Sequence, residues 1–357
     1  MGFQKARTDE IHFENKNHDV MRLLMLLLAF LWAGALTAQL TLQPAQPQPG
    51  QALTLEYDPA GTPLEGAAQV EARVYLCESI EDPRALDVPL ERKGQRFVGT
   101  LELTPEARAV VLRFRDPESK KWDDHDKKGF TFLLHDEKGQ PLPEAYLFLG
   151  NTLASYTYRT NLDPDIKTAI EHFHTAFKLK PALEEDLENW MAFAGVLRRS
   201  GDEAAKAEMR NKLDELKKKR RASEMEMYLA YALAQFLKQQ EDADKLKEKI
   251  SKKYPNGLLA ANELINQIYD SRDDLQKQTE LFEKFKKDFQ GTKDYESRLS
   301  DLAASLANAY ALKGDAENFR KYARLVTDKN TLAGMYNNTA WDLAGGGLEG
   351  EAQHLEL

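Results

Sequence analysis

Leu162-Asp163-Pro164-Asp165-Ile166-Lys167-Thr168-Ala169-Ile170-Glu171-His172-Phe173-His174-Thr175-Ala176-Phe177-Lys178-Leu179-Lys180-Pro181 is the stretch that decides the fold. Asp163 can cap a helix, and Pro164 suits the first helical position, where a backbone N–H would have no partner anyway. Ile166, Ala169, Ile170, Phe173, Ala176 and Phe177 then recur at the spacing that lines one helical face. Lys178 and Lys180 sit in the last turn, where the helix dipole favours cations, and Pro181 ends the segment.

The same grammar continues toward the C-terminus. A helix before this one is expected over about 144–158. After it, Leu187, Trp190, Ala194 and Leu197 share a face that stops at Gly201, and Asp202 opens a partner carrying Met209, Leu213 and Leu216. Ser223 with Glu226 three residues on makes a capping box for a helix with Met227, Ala230, Ala234 and Leu237. Ala243, Leu246 and Ile250 mark its return helix. A fourth pair covers 258–269 and 274–289, with Leu275, Phe282, Phe285 and Phe289 aligned, and a fifth covers 295–313 and 316–326 around the turn Gly314-Asp315. A sixth begins at Leu332, Tyr336, Ala340 and Leu343 but has no second helix, because Leu348–Leu357 is too short to cover it. Arrays need polar caps, so either the chain is a piece of a longer protein or that face meets a partner. Lys217-Lys218-Lys219-Arg220-Arg221 reads as a solvated helix end rather than a nuclear address.

These pairs resemble tetratricopeptide repeats of about 34 residues. Ala169, Phe173, Ala176 and Pro181 stand at that motif's alanine, phenylalanine, alanine and proline places, as do Ala243 and Pro255 in the third pair. The leucine-glycine pair of the motif's first helix is missing. The resemblance implies an α-solenoid with a groove lined by the first helix of each pair, where Tyr156, Trp190, Tyr228 and Tyr231 are candidate partner-groove residues.

Toward the N-terminus the period changes from helical to two. Leu40–Leu42, Leu53–Tyr57, Val70–Leu76, Val88–Leu90, Phe97–Leu103, Val110–Phe114 and Phe130–Leu134 make about seven strands separated by turn residues. That count and spacing predict an immunoglobulin-like β-sandwich, after a proline-rich lead-in at Gln43–Gly50. Within it, Lys121-Trp122-Asp123-Asp124-His125-Asp126-Lys127-Lys128-Gly129-Phe130 resembles the aromatic loop of some starch-binding β-sandwich modules. In such a loop a ring stacks on a sugar while carboxylates accept its hydroxyls, so Trp122, Asp124 and Asp126 are candidate glycan-binding residues. The alternative is an acidic, solvated hairpin with Trp122 over the sheet edge. An EF-hand spacing is absent.

Met21-Arg22 followed by the apolar run Leu23–Ala35 and Leu36-Thr37-Ala38 has the order of a secretory signal cut after Ala38. The run is shorter than the ~20 residues of a membrane span. The expected layout is therefore a non-native extension over 1–20, a signal peptide over 21–38, a sandwich over 39–143, helical repeats over 144–344 and an incomplete tail over 345–357. A periplasmic or cell-envelope address in a bacterium follows.

The 357 residues carry 49 Lys and Arg against 58 Asp and Glu, a net charge of −9. The first 38 contain four basic and four acidic side chains, so the remainder keeps that balance. An acidic chain has no broad pull toward nucleic acid or anionic lipid. Cys77 is the only cysteine, which excludes an internal disulfide or a Cys-x-x-Cys pair, and it reads as a small apolar residue of a strand.

Tyr57-Asp58-Pro59-Ala60-Gly61-Thr62-Pro63-Leu64, Lys253-Tyr254-Pro255-Asn256-Gly257 and Tyr336-Asn337-Asn338-Thr339-Ala340-Trp341, with the β-then-α order, resemble the N-terminal region of certain exported TlpA-like thioredoxin-family proteins. The resemblance covers about 40–345. It implies a continuation into a disulfide-reducing domain whose Cys-x-x-Cys is absent here, so no catalytic residue carries over. His172 and His174 point to opposite sides of Phe173 and cannot share a metal from one face. No His-Glu-x-x-His, Gly-x-Ser-x-Gly or phosphate-binding glycine loop occurs. The expected function is a non-enzymatic, exported protein-interaction scaffold without catalytic residues, metal or cofactor. The alternatives are a glycan-binding module with a helical spacer and an accessory to a reductase.

Overall fold

A computed structural model describes residues 39–292 and 294–343. The expected extension 1–20, signal 21–38 and tail 345–357 lie outside the described residues. The chain is β first and then all-α. Its strands are β1 (Leu40–Gln43), β2 (Ala52–Tyr57), β3 (Val70–Cys77), β4 (Arg84–Lys93), β5 (Arg96–Glu102), β6 (Ala109–Arg115), β7 (Trp122–Asp123) and β8 (Phe130–Leu133). The helices are α1 (Pro143–Ser155), α2 (Thr157–Thr160), α3 (Ile166–Leu179), α4 (Ala182–Glu185), α5 (Leu187–Ser200), α6 (Glu203–Lys218), α7 (Glu224–Phe236), α8 (Gln240–Lys253), α9 (Leu258–Asp270), α10 (Leu275–Asp288), α11 (Tyr295–Leu312), α12 (Ala316–Ala323) and α13 (Lys329–Leu343). The described residues divide into two compact units between Val196 and Leu197.

In the first unit every strand pairing is antiparallel and the order is β1-β2-β5-β4-β3-β6-β7, with β8 sharing the β6 edge. β4 curls the sheet. Its first seven residues pair with β3, as in Ala72 opposite Val88, and its last three pair with β5, as in Arg92 opposite Phe97. A strand that serves two neighbours in succession turns the sheet back on itself, so inward-facing residues from both halves meet. That core holds Leu53, Leu55 and Tyr57 from β2, Val70, Ala72, Val74 and Leu76 from β3, and Val110, Leu112 and Phe114 from β6.

The alternation in β3 and β6 has a second consequence. Tyr75, Cys77, Ala109 and Val111 face the other way, and Ala145, Leu149 and Leu153 of α1 with Leu162 cover them. These two strands are thus buried on both faces. Residues α1 to α4 belong to the same unit as the sheet because α1 seals its outer surface. Cys77 lies in that seam, fully buried, with Sγ 3.3 Å from the Thr152 hydroxyl. Burial pushes its thiol up to about 12, leaving no reactive thiolate at neutral pH.

The decisive stretch forms α3, with Ala169, Phe173, Ala176 and Phe177 buried as the spacing requires. Its cap is Asp165, which accepts from the Thr168 N–H at 3.0 Å, rather than Asp163. The Asp163 N–H is engaged elsewhere, on the Lys127 carbonyl, so the helix begins one cap later. α1 and α3 approach closely at Gly150, where a Cβ would sit 3.0 Å from the His172 Cβ and 3.1 Å from the Ala169 carbonyl oxygen.

In the second unit successive helices from α6 to α12 pack on one another, and first helices of adjacent pairs also touch, α7 on α9 and α11 on α13. Asp202, Asp274 and Asp315 cap α6, α10 and α12, and Ser223 with Glu226 forms the capping box of α7. Phe282, Phe285, Leu302, Leu306, Phe319 and Tyr322 fill the core between α9 and α13.

Candidate functional site

The loop containing Trp122 is a structural seam. β7 and β8 both pair with β6, so residues 124–129 must leave its edge and return to it. They do so with His125, Asp126 and Lys127 all left-handed, at φ of 51, 53 and 65°. Side chains resist that region, and the turn is held by its contacts. The Asp124 carboxylate accepts from the Lys127 N–H at 3.0 Å, the Asp123 carboxylate from the His125 N–H at 3.1 Å, and the His125 ring stacks on Phe130.

Arg113, only 3% exposed, joins this turn to the helices: it donates to the Thr160 carbonyl at 3.2 Å and to Asp124 at 3.2 Å. Its guanidinium carbon lies 4.1 Å from the centre of the Trp122 ring. Of the glycan candidates, Trp122 therefore has a cation against its ring and Asp124 is ion-paired with Arg113 and Lys127, which holds its carboxyl below the usual range despite burial. Asp126 stands exposed on the tip. Trp122 and Asp124 are thus engaged in holding the loop, and Asp126 is not.

The candidate groove residues divide. Trp190 is 3% exposed, with its ring centre 5.4 Å from that of Phe193, which itself packs on Phe173 and Phe177, so Trp190 belongs to the core and not to an open face. Tyr156 is half-buried beside Tyr158; burial first and then Asp82 push its hydroxyl up to about 12. His172 and His174 part as expected, the first against Tyr146 and the second against Phe193.

Tyr228 and Tyr231, in contrast, stand together on α7 with ring centres 6.3 Å apart. The structure adds residues that periodicity in apolar positions did not single out. Asn262 of α9 donates from Nδ2 to the Tyr228 hydroxyl at 2.7 Å, and its Oδ1 accepts from Nη1 of Arg298, on α11, at 2.6 Å. The sequence separations are 34 and 36, so the row links equivalent places on the first helices of three successive pairs. The Leu258 N–H donates to the Glu224 carboxylate across another separation of 34. Beside the row, Gln235 donates to the Tyr231 hydroxyl at 2.7 Å and Lys247 pairs with Glu263 at 2.6 Å. A search for polar residues at the repeat spacing, rather than for aromatics alone, would have found Asn262 and Arg298.

No protein-family model matches the chain, and no curated protein matches it. Among the described residues no group of three or more His, Cys, Asp and Glu is placed to hold a metal, and no helix is long and apolar enough to cross a membrane.

Proposed function

We propose that this chain is an exported, non-enzymatic scaffold that binds another protein along the first helices of a tetratricopeptide-like solenoid carried behind an immunoglobulin-like sandwich. The observation that carries the reading is the row Tyr228–Asn262–Arg298, at separations of 34 and 36. A polar row at a repeat interval keeps successive pairs in register and presents side chains along one line, which suits an extended partner. The strand order, with β4 passing from one half of the sheet to the other, supports the sandwich. The resemblance to the N-terminal region of TlpA-like proteins is the ground for expecting such a scaffold to work beside a disulfide-reducing domain.

A photo-crosslinking amino acid at position 231 of the full chain, expressed in bacterial cells, tests the reading. A discrete crosslinked protein from position 231, and none from a control at exposed Lys128, is the expected result. Equal labelling from both positions would remove the row as the binding face. N-terminal sequencing of exported material should begin at Gln39, and the DNA following this reading frame should encode a thioredoxin fold.

A further inference from the structure

We infer that the row on α7, α9 and α11 recognises side-chain carboxylates of an extended acidic segment in the partner, with Arg298 and the Tyr228 hydroxyl as the two donors. This rests on the scaffold reading above and adds the chemistry of what is bound.

The argument is one of hydrogen-bond direction. Arginine can only donate, so Asn262 must turn its Oδ1 toward Arg298, as it does at 2.6 Å. The amide nitrogen is then fixed toward Tyr228 and donates to the hydroxyl oxygen at 2.7 Å. The phenolic oxygen accepts there, and its own hydrogen has no acceptor among the described residues. Asn262 takes one N–H of the Arg298 fork, and no carboxylate among the described residues pairs with the rest. Asp301, one turn further along α11, forms no salt bridge with Arg298 among the described residues. Tyr231 repeats the pattern, since its oxygen accepts from Gln235 and its proton is left over.

The row thus carries surplus donors and, at Arg298, a positive charge; the carboxylates beside it, Glu263 and Asp244, act at the Tyr231 end, where Glu263 is paired with Lys247. In a chain of net charge −9 with many carboxylates, Arg298 is half-buried and unneutralised. Lys247, the other nearby cation, is already matched by Glu263. What complements such a row is an acceptor-only group, and an ionised carboxylate has that property and forms the stronger, charge-assisted bonds. The Tyr228 and Tyr231 rings flank the line, 6.3 Å apart and partly buried against the core of Met227, Ile250 and Leu259.

The test is selection of a random peptide library of about twelve residues, displayed with its C-terminus fused so that only side chains can supply the anion. The bait is the whole chain. Enrichment of Asp and Glu is expected. Selected peptides should bind Arg298→Met and Tyr228→Phe about tenfold or more weakly than the parent, the loss of one hydrogen bond to a charged group. Arg298→Lys, which keeps the charge and loses the fork, should fall between. Circular dichroism and thermal midpoints of the variants show whether they fold; Tyr228→Phe removes a single oxygen and keeps the test open if Arg298→Met does not fold. Enrichment of neutral or basic peptides, or acidic peptides held equally by Arg298→Met, overturns the carboxylate inference. If crosslinking at position 231 still finds a partner then, the scaffold reading survives. No enriched peptide together with no crosslink overturns both.

Discussion

Replacing Tyr57 by phenylalanine removes one oxygen from the centre of the folded sheet. The ring is fully buried and stacks on Phe114 with centres 3.8 Å apart, a contact that phenylalanine keeps. The hydroxyl donates to Oδ2 of Asp123 at 2.7 Å, across the core and over a sequence separation of 66. Asp123 is 4% exposed, and its other oxygen accepts from the His125 N–H. The substitution therefore leaves apolar burial unchanged and strips a buried carboxylate oxygen of its donor, at a cost of about 1.5–3 kcal/mol for a hydrogen bond to a charged group. For a unit of this size that lowers the melting temperature by roughly 3–12 °C. The assay is denaturant unfolding followed by tryptophan emission, since Trp122 adjoins Asp123 and reports on its loss. Combined with Asp123→Asn in a double-mutant cycle, the pair should show coupling of about 1 kcal/mol or more, whereas independent sites add to within about 0.5 kcal/mol. A cost below about 0.5 kcal/mol for Tyr57→Phe, or an additive cycle, would refute the view that the Trp122 loop is anchored through the sheet core.

Three further outcomes are expected. Gly150→Leu should destabilise the first unit by about 1–3 kcal/mol or more through overpacking, because the added carbons meet His172, Ala169 and Phe173; a thermal melt unchanged from the parent would contradict the close helix approach. Ser223→Ala should cost about 1 kcal/mol by removing one side of the capping box, read as a lower denaturant midpoint with unchanged slope. Asp301 has its pKa raised by burial and then by Asp328, so ionising it costs more in the folded chain than in the unfolded one. Stability is reduced as pH rises from the ordinary aspartate value through the raised one and the penalty persists at neutral pH. Asp301→Asn should therefore stabilise the protein at neutral pH and make no difference in acid below about pH 3.9; a gain that persists in acid would point to packing and not to charge.

Local chemistry was legible where it acts within a few residues. The box at Ser223 and Glu226, the stop at Gly201 and the buried face of Ala169, Phe173, Ala176 and Phe177 follow from spacing alone, and the helices obey it. The cap of α3 did not, because Asp163 and Asp165 are both capable and the choice was made by the Lys127 carbonyl, far away in the chain. Trp190 and Tyr228 look alike as aromatics on first helices, yet one is buried against Phe193 and the other is in a polar row. The Trp122 loop carries the residue types of a sugar site, and only the tertiary structure shows Arg113 engaging Trp122 and Asp124 there.

The sequence by itself determined the change of period from two to 3.6 near residue 140, helix ends such as those at Gly201 and Ser223, and the apolar face of the longer helices, because those are set by neighbours along the chain. Tertiary structure decided that α1 seals the outer face of β3 and β6, that β4 serves both halves of the sheet, and that Asn262 stands between Tyr228 and Arg298. The physical reason is reach: a hydrogen bond spans about 3 Å, and which donor comes that close to which acceptor, across dozens of residues, is settled only when the elements pack.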